Sequence, residues 1–359
     1  MNSKDFKATG KIYIGFDVSQ KTTKAFAVCG KEDSGKAETI GTDRQSICGF
    51  LQKCFPEAYR VCVVMETGTH ALWMSRLVEA MGYEVIVAHA RDLRVIYSSV
   101  KKNDAIDAGK LARLAQYDRT LLHPVKLMDA ARQHDFAIMK ARDTLVRQRT
   151  AIVNTVRGLM RSLGESDESF TVKNMKDAAR LLSPDTLDIV KPLLDQLKSI
   201  DEGIKKYDRK IEKLCKKYKE TTSLRQVKGV GPAIALAFVL VIGDPRRFPG
   251  GAKACSYLGL VPRQDQSGET DKQLGITKNG NSMVRRLLIQ GAQYIMGPFG
   301  EECDLRTFGK RIASRGGMTA RKKAKVAVAR KLVKVLLQLW AKPSVPYDPN
   351  FKSNKKMTA

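Results

Sequence analysis

Between Leu193 and Tyr218 the chain places Leu193, Leu197, Ile200, Ile204, Tyr207, Ile211, Leu214 and Tyr218 at alternating steps of four and three. Only an α-helix holds residues at that spacing on one face, and a seam this long predicts a rod that must pair with another helix. A partner lies upstream, where Ile138, Leu145, Ile152 and Leu159 recur every seven residues, with Ala141, Gln148 and Thr155 at the intermediate seam positions. Helices over 128–163 and 193–218, separated by the polar stretch Ser162–Ser169, predict an extended antiparallel coiled-coil arm. Its seam closes either on itself or on a second subunit. Such an arm divides the 359 residues into expected domains at 1–125, 126–221 and 222–342, with an irregular basic tail at 343–359.

Before the arm the pattern is α/β. Lys11 to Ser19 and Thr23 to Cys29 read as strands joined by a hairpin turn at Gln20-Lys21-Thr22, with a third short strand near Glu38–Gly41. A helix over Ser46–Phe55, a buried-type strand over Tyr59–Glu66, a helix over His70–Met81, a strand over Tyr83–Ala88 and a helix over Asn103–Tyr117 follow. A hairpin group followed by alternating helices and strands predicts a mixed sheet.

The net charge of +27 is unevenly spread. Residues 1–125 hold 18 Lys and Arg against 14 acids, whereas from Leu305 onward there are 15 basic residues and one acid, Asp348. That asymmetry points to a polyanionic partner, most often nucleic acid. No apolar run reaches membrane-spanning length, the longest being Ala233–Ile242, and Met1–Lys11 has no apolar signal-peptide core, so no membrane role is expected. Seven scattered cysteines without a Cys-x-x-Cys pair and four isolated histidines argue against a disulfide framework and a structural zinc site, and they point to the cytoplasm.

After the arm, Leu224-Arg-Gln-Val-Lys-Gly-Val-Gly-Pro reads as a helix, a glycine hairpin and a second helix. In a helix-hairpin-helix-like segment, Lys228, Gly229 and Gly231 would meet a nucleic-acid phosphate; the plain alternative is an ordinary turn between helices. A short helix over Arg246–Gly259, the polar loop Pro262–Thr270, a helix after Ile276 and a basic helix over Ala320–Trp340 complete the domain. Arg263, Lys272, Lys278, Arg285 and Arg286 are further candidates for phosphate contacts, although for any one of them a solvated charge is the more common fate.

Four acids carry the chemistry. Asp17 and Glu66 each close a predicted strand, so neighbouring strands would bring them to one sheet edge. Asp104 and Asp107, three residues apart at a helix start, lie about 60° apart around its axis. By themselves they are first-turn acids favoured by the helix dipole. As a set, four hard oxygen donors suit Mg²⁺.

Asp17 in Ile14-Gly-Phe-Asp-Val-Ser, Glu66 in Met65-Glu-Thr-Gly-Thr and the pair in Asn103-Asp-Ala-Ile-Asp resemble the DEDD set of RuvC-like nucleases with an RNase H fold. With Val227-Lys-Gly-Val-Gly, Pro262-Arg-Gln-Asp-Gln-Ser-Gly and Ile276-Thr-Lys-Asn-Gly-Asn-Ser-Met-Val-Arg-Arg in order, nearly the whole chain resembles the insertion-sequence transposases known as bridge-RNA-guided recombinases. The resemblance implies a RuvC-like DEDD catalytic domain, a coiled-coil arm and a mainly helical transposase domain. It also implies donor and target DNA, a structured guide RNA, and a dimer or tetramer with composite active sites, at the bacterial nucleoid when active. The family motif falls on Ser267 as nucleophile. Ser256, beside Cys255 and Tyr257, is expected at a helix-packing face instead. The rival functions are a junction endonuclease in which the acids activate water, an actin-like ATPase and a non-catalytic nucleic-acid scaffold. The ATPase is disfavoured because no GxxxxGK[ST] loop is present and the arm occupies the place of a second lobe.

Overall fold

In a computed structural model the chain is described over residues 10–30, 35–89, 104–165, 182–267 and 270–350. These residues form two compact units that divide between Met128 and Asp129.

The first unit is built on strands β1 (Ile12–Val18), β2 (Thr22–Val28), β3 (Lys36–Gly41), β4 (Val61–Glu66) and β5 (Glu84–Ala88), in the order β3-β2-β1-β4-β5. β1, β4 and β5 pair in parallel, while β2 runs antiparallel to both β1 and β3. This is the mixed sheet expected from the sequence. Helices α1 (Arg44–Cys54), α2 (Ala71–Ala80) and α3 (Asp104–Tyr117) complete the unit. Val61 to Met65 of β4 are all buried because both faces of this central strand are covered. On one face Ile12, Ile14, Phe16, Val63 and Met65 meet Ile47, Phe50 and Leu51 of α1 and Met74 and Val78 of α2. On the other, Cys62, Val64 and Ile86 meet Leu111 and Ala115 of α3. The buried side of α3 is Ala108, Leu111, Ala112 and Ala115, the i, i+3, i+4, i+7 stripe of a helix lying on a sheet. Three alanines keep that stripe thin and let the helix come close.

The second unit begins with two long helices, α4 (Ala130–Ser162), capped by Asp129, and α5 (Pro184–Lys217), capped by Ser183 with proline at its first position. They are antiparallel: Tyr218 reaches Asp135, Asp208 reaches Arg142 and Asp201 reaches Arg149, each step up one helix being a step down the other. On α5 the expected seam is largely the buried one, with Leu197, Ile200, Ile204, Ile211 and Tyr218 inside, although Leu194 is buried in place of Leu193. On α4 the seam lies one residue further along. Met139, Val153, Val156 and Met160 are buried, whereas Gln148 and Thr155 face solvent. The physical reason is that Arg142 and Arg149 stand at the inner positions and pair with acids of α5, so apolar spacing alone does not report the true register. Of the polar stretch after α4, residues 166–169 lie outside the described residues.

Beyond the hairpin come α6 (Glu220–Leu224), α7 (Pro232–Ile242), α8 (Gly251–Tyr257), strands β6 (Pro262–Ser267) and β7 (Thr270–Ile276), then α9 (Ser282–Met296), α10 (Asp304–Ala313) and α11 (Gly317–Ala341). From Ala235 to Ile242, α7 is buried on every side, and Phe238 packs on Trp340 of α11. Residues 343–350 are irregular yet tied down: Asp304 N donates to Pro349 O and Tyr347 N to Gln226 Oε1. The rest of the tail, 351–359, lies outside the described residues. No helix among the described residues is long and apolar enough to cross a membrane.

Candidate active site

In the parallel β1–β4 ladder Phe16 stands opposite Met65. Asp17 and Glu66 follow one residue later on their strands, so they are neighbours at the same edge of the sheet. Side chains alternate along a strand. Phe16 and Met65 point into the α1–α2 core, so Asp17 and Glu66 belong to the opposite face, where α3 lies. Asp17 is half-buried and Glu66 exposed.

Gly15 brings α3 to them. A β-carbon on Gly15 would stand 1.9 Å from the Ala108 carbonyl oxygen and 2.9 Å from Ala112 N, so the helix backbone rests directly on the strand backbone two residues before Asp17. Asp107 immediately precedes Ala108 and is ion-paired to Lys110 at 3.3 Å. Asp104 opens the same helix one turn earlier; its side chain lies outside the described residues.

Among the described residues no three His, Cys, Asp or Glu side chains stand close enough together to hold a metal. The donors at this edge are nonetheless all carboxylates, two on adjacent strand ends and one on the helix start laid over them. That set fits a hard divalent cation that keeps several waters, and it does not fit a soft thiolate-seeking metal.

Ser267 belongs to the second unit and ends β6. The expected polar loop over Pro262–Thr270 is instead a β-hairpin, with Asp265 opposite Lys272 and Ser267 opposite Thr270. Residues 268–269 and the side chains of residues 264–273, Ser267 and Lys272 among them, lie outside the described residues. The hairpin base is clamped by backbone contact. A β-carbon on Gly259 would be 2.1 Å from Asn279 O, and one on Gly280 would be 1.9 Å from Tyr257 O. Both glycines have positive φ, +67° and +70°. Arg285 closes the clamp, its Nη1 donating to Leu258 O at 3.1 Å and Asn279 O at 2.8 Å. This buried guanidinium corrects the expectation of a phosphate contact at Arg285, because its donors face carbonyls of the fold. Ser256 is corrected as well: it is exposed on α8, and its neighbours Ala254 and Cys255 are the residues that pack.

The other basic candidates are spread over the second unit. Arg286 pairs with Asp143 of α4 at 2.6 Å. Lys228 pairs with Glu301 at 3.4 Å, both well exposed. Gly229, at φ +93°, packs against Gly291 O and Tyr294 of α9, whereas Gly231 caps α7 in open space. Arg263 and Lys278 are exposed. Sequence reasoning missed Arg285's structural task and the backbone contact of residues 257–259 with 278–280; the signal was two glycines, Gly259 and Gly280, flanking a strand pair.

Residues 14–164 match a family model for DEDD-type transposases of IS110, and residues 221–303 match one described as the transposase IS116/IS110/IS902 family. The four acids fall within the first match and Ser267 within the second. The transposase for insertion sequence element IS1111A of Coxiella burnetii is 28% identical over 337 residues, covering 91% of this chain and 88% of that protein. A probable family 20 transposase of Pseudomonas aeruginosa is 28% identical over 82% of this chain and 87% of its own length. The transposase for insertion sequence element IS1328 of Yersinia enterocolitica is 26% identical over 70% and 75% respectively.

Proposed function

We propose that this chain is a transposase of the IS116/IS110/IS902 kind, an enzyme that cleaves DNA and transfers its strands, and that it is an RNA-guided recombinase using a serine nucleophile beside a Mg²⁺ site. A DEDD-type domain implies a divalent metal. Asp17, Glu66, Asp104 and Asp107 would hold it, in a RuvC-like domain. The proposal rests on the paired strand ends of Asp17 and Glu66 under a helix docked through Gly15.

When bound, the cation would offset charge on the phosphate oxygens of the scissile ester. Ser267 Oγ gives up its proton and forms a P–O bond, while the bond from phosphorus to the deoxyribose oxygen breaks and that oxygen takes up a proton. One phosphodiester replaces another, so a strand hydroxyl can reverse the step without ATP. The arm, read as a coiled coil, the helix-hairpin-helix-like turn at Lys228–Gly231, a guide RNA and composite sites in a dimer or tetramer are supported by the sequence resemblance, as is action at the bacterial nucleoid. The acids and Ser267 belong to different compact units. That keeps a second reading open, a junction endonuclease in which the acids activate water and Ser267 is incidental.

Purified protein, Mg²⁺, the RNA that copurifies with it and candidate DNA are incubated and resolved under denaturing conditions. A covalent protein–DNA adduct is expected, lost in Ser267→Ala and in Asp104→Asn. Undiminished cutting by Ser267→Ala would favour the endonuclease, and an adduct that survives that substitution would refute the serine.

A further inference from the structure

A second cluster stands at the same end of the sheet as the acids, on the side of α1 and α2 rather than that of α3. Gly41, the last residue of β3, pairs with Thr22 just across the turn from Val18, so β3 leaves the sheet at the Asp17 edge and α1 begins there with Arg44. β4 leaves at the same edge after Glu66, and α2 follows with His70 as its N-cap residue and Trp73 in its first turn. The two helix starts meet. Arg44 Cζ lies 5.5 Å from the centre of the Trp73 ring. Trp73 Nε1 donates to His70 Nδ1 at 3.1 Å, with the rings nearly perpendicular at 84°.

Each member is oriented. Trp73 packs its inner side on the α1–α2 core, and the hydrogen bond to His70 fixes the indole in its plane. Because Nδ1 accepts that bond, neutral His70 carries its proton on Nε2, as a donor. Arg44 is exposed, and no carboxylate among the described residues pairs with it. Its neighbour Asp43 is committed to Ser46, accepting from the backbone N at 2.8 Å and from Oγ at 2.6 Å. A guanidinium laid on an indole is held in place while its donors stay open to an oxyanion.

We propose that Arg44, Trp73 and His70 form a phosphate-contact subsite for the nucleic-acid strand that crosses the carboxylate edge. The proposal rests on the function above, in which that edge handles a phosphodiester, and it adds a grip on a neighbouring phosphate. Arg44 supplies the charge, His70 Nε2–H a second donor, and Trp73 the platform that aims both. DNA and RNA share this backbone chemistry, so either strand could occupy the subsite.

The test reads binding rather than chemistry. The chain has two tryptophans, Trp73 and Trp340. A Trp340→Phe, Ser267→Ala background leaves Trp73 as the sole indole and blocks adduct formation. Full-length protein is titrated with single-stranded DNA and with RNA of the same sequence, following Trp73 emission over a series of salt concentrations. Emission is expected to change on saturation, and the tighter-binding strand names the occupant. Arg44→Gln, which keeps a flat amide over the indole, is expected to weaken binding about tenfold and to lower the log–log salt slope by roughly 0.7–0.9, one phosphate contact. Its melting midpoint should be unchanged, and Arg44→Lys should restore the slope. An unresponsive Trp73, or equal affinity and slope in Arg44→Gln, would overturn the subsite. If wild type still forms the adduct in that case, the serine mechanism stands and this subsite alone falls; an intact Trp73 response without any adduct has the opposite meaning.

Discussion

At position 15 a single methyl group would collide with the Ala108 carbonyl oxygen, a backbone atom that cannot rotate away. Gly15→Ala should therefore destabilise the first unit by about 1–3 kcal/mol or more, the usual scale of overpacking, read from the denaturant midpoint of the purified chain. Adduct formation should fall with it. Asp135 offers a pH test. Burial raises its pKa, but hydrogen bonds from Lys217 and Tyr218, each 2.7 Å long, outweigh burial and hold it below 3.8. Its stabilisation is thus complete above the unfolded carboxylate pKa of about 3.9 and is lost as pH falls through the depressed folded value. Asp135→Asn should cost about 1–3 kcal/mol at neutral pH and flatten that acid limb, as seen in melts from pH 7 to pH 3. Asp17 and Glu66 were legible in the sequence because each ends an apolar run that reads as a strand. Arg285 was not, because a buried arginine facing carbonyls and an exposed one facing solvent look alike in a string of letters.

Among the elements, the long helices show where sequence spacing succeeds and where it slips. The seam of α5 is apolar and could be read directly, whereas α4 puts Arg142 and Arg149 inward against Asp208 and Asp201, so counting apolar residues shifts the seam by one. Met160→Ala and Leu194→Ala, both in the buried cluster between the helices, should each cost about 2–5 kcal/mol in denaturant unfolding. Thr155→Ala, exposed although expected in the seam, should stay within about 0.5 kcal/mol. The serine hairpin escaped notice for another reason. Pro262-Arg-Gln-Asp-Gln-Ser has no apolar face, so the alternation that reveals a half-buried strand is missing. Its base depends on Arg285, and Arg285→Met, which leaves the Leu258 and Asn279 carbonyls without the donor they share, should lower the yield of the proposed adduct by about 10- to 100-fold with strand affinity retained.

For the molecule as a whole, the charge is divided by task. The carboxylate edge lies in the nearly balanced first 125 residues, and the cationic excess lies beyond them. If six to ten phosphates are neutralised, affinity for nonspecific duplex should fall by about 10³–10⁵ between 50 and 200 mM salt, measured by anisotropy. The mixed sheet and the strand-end places of Asp17 and Glu66 could be read from sequence because both leave local signatures; the clamp and the helix docking could not, because they join backbone atoms that no local pattern reports. The hairpin adds a point about aim. β6 runs from Pro262 to Ser267, so the serine stands roughly 17 Å along a two-stranded ribbon from the strand's first residue, at about 3.3 Å per residue. At that lever arm a tilt of about 3° at the base moves the tip by about 1 Å, on the order of the error that spoils an in-line attack. For the nucleophile proposed above, aim would be decided by the stiffness of the backbone contact between residues 257–259 and 278–280 and by the surface on which the ribbon's tip lands.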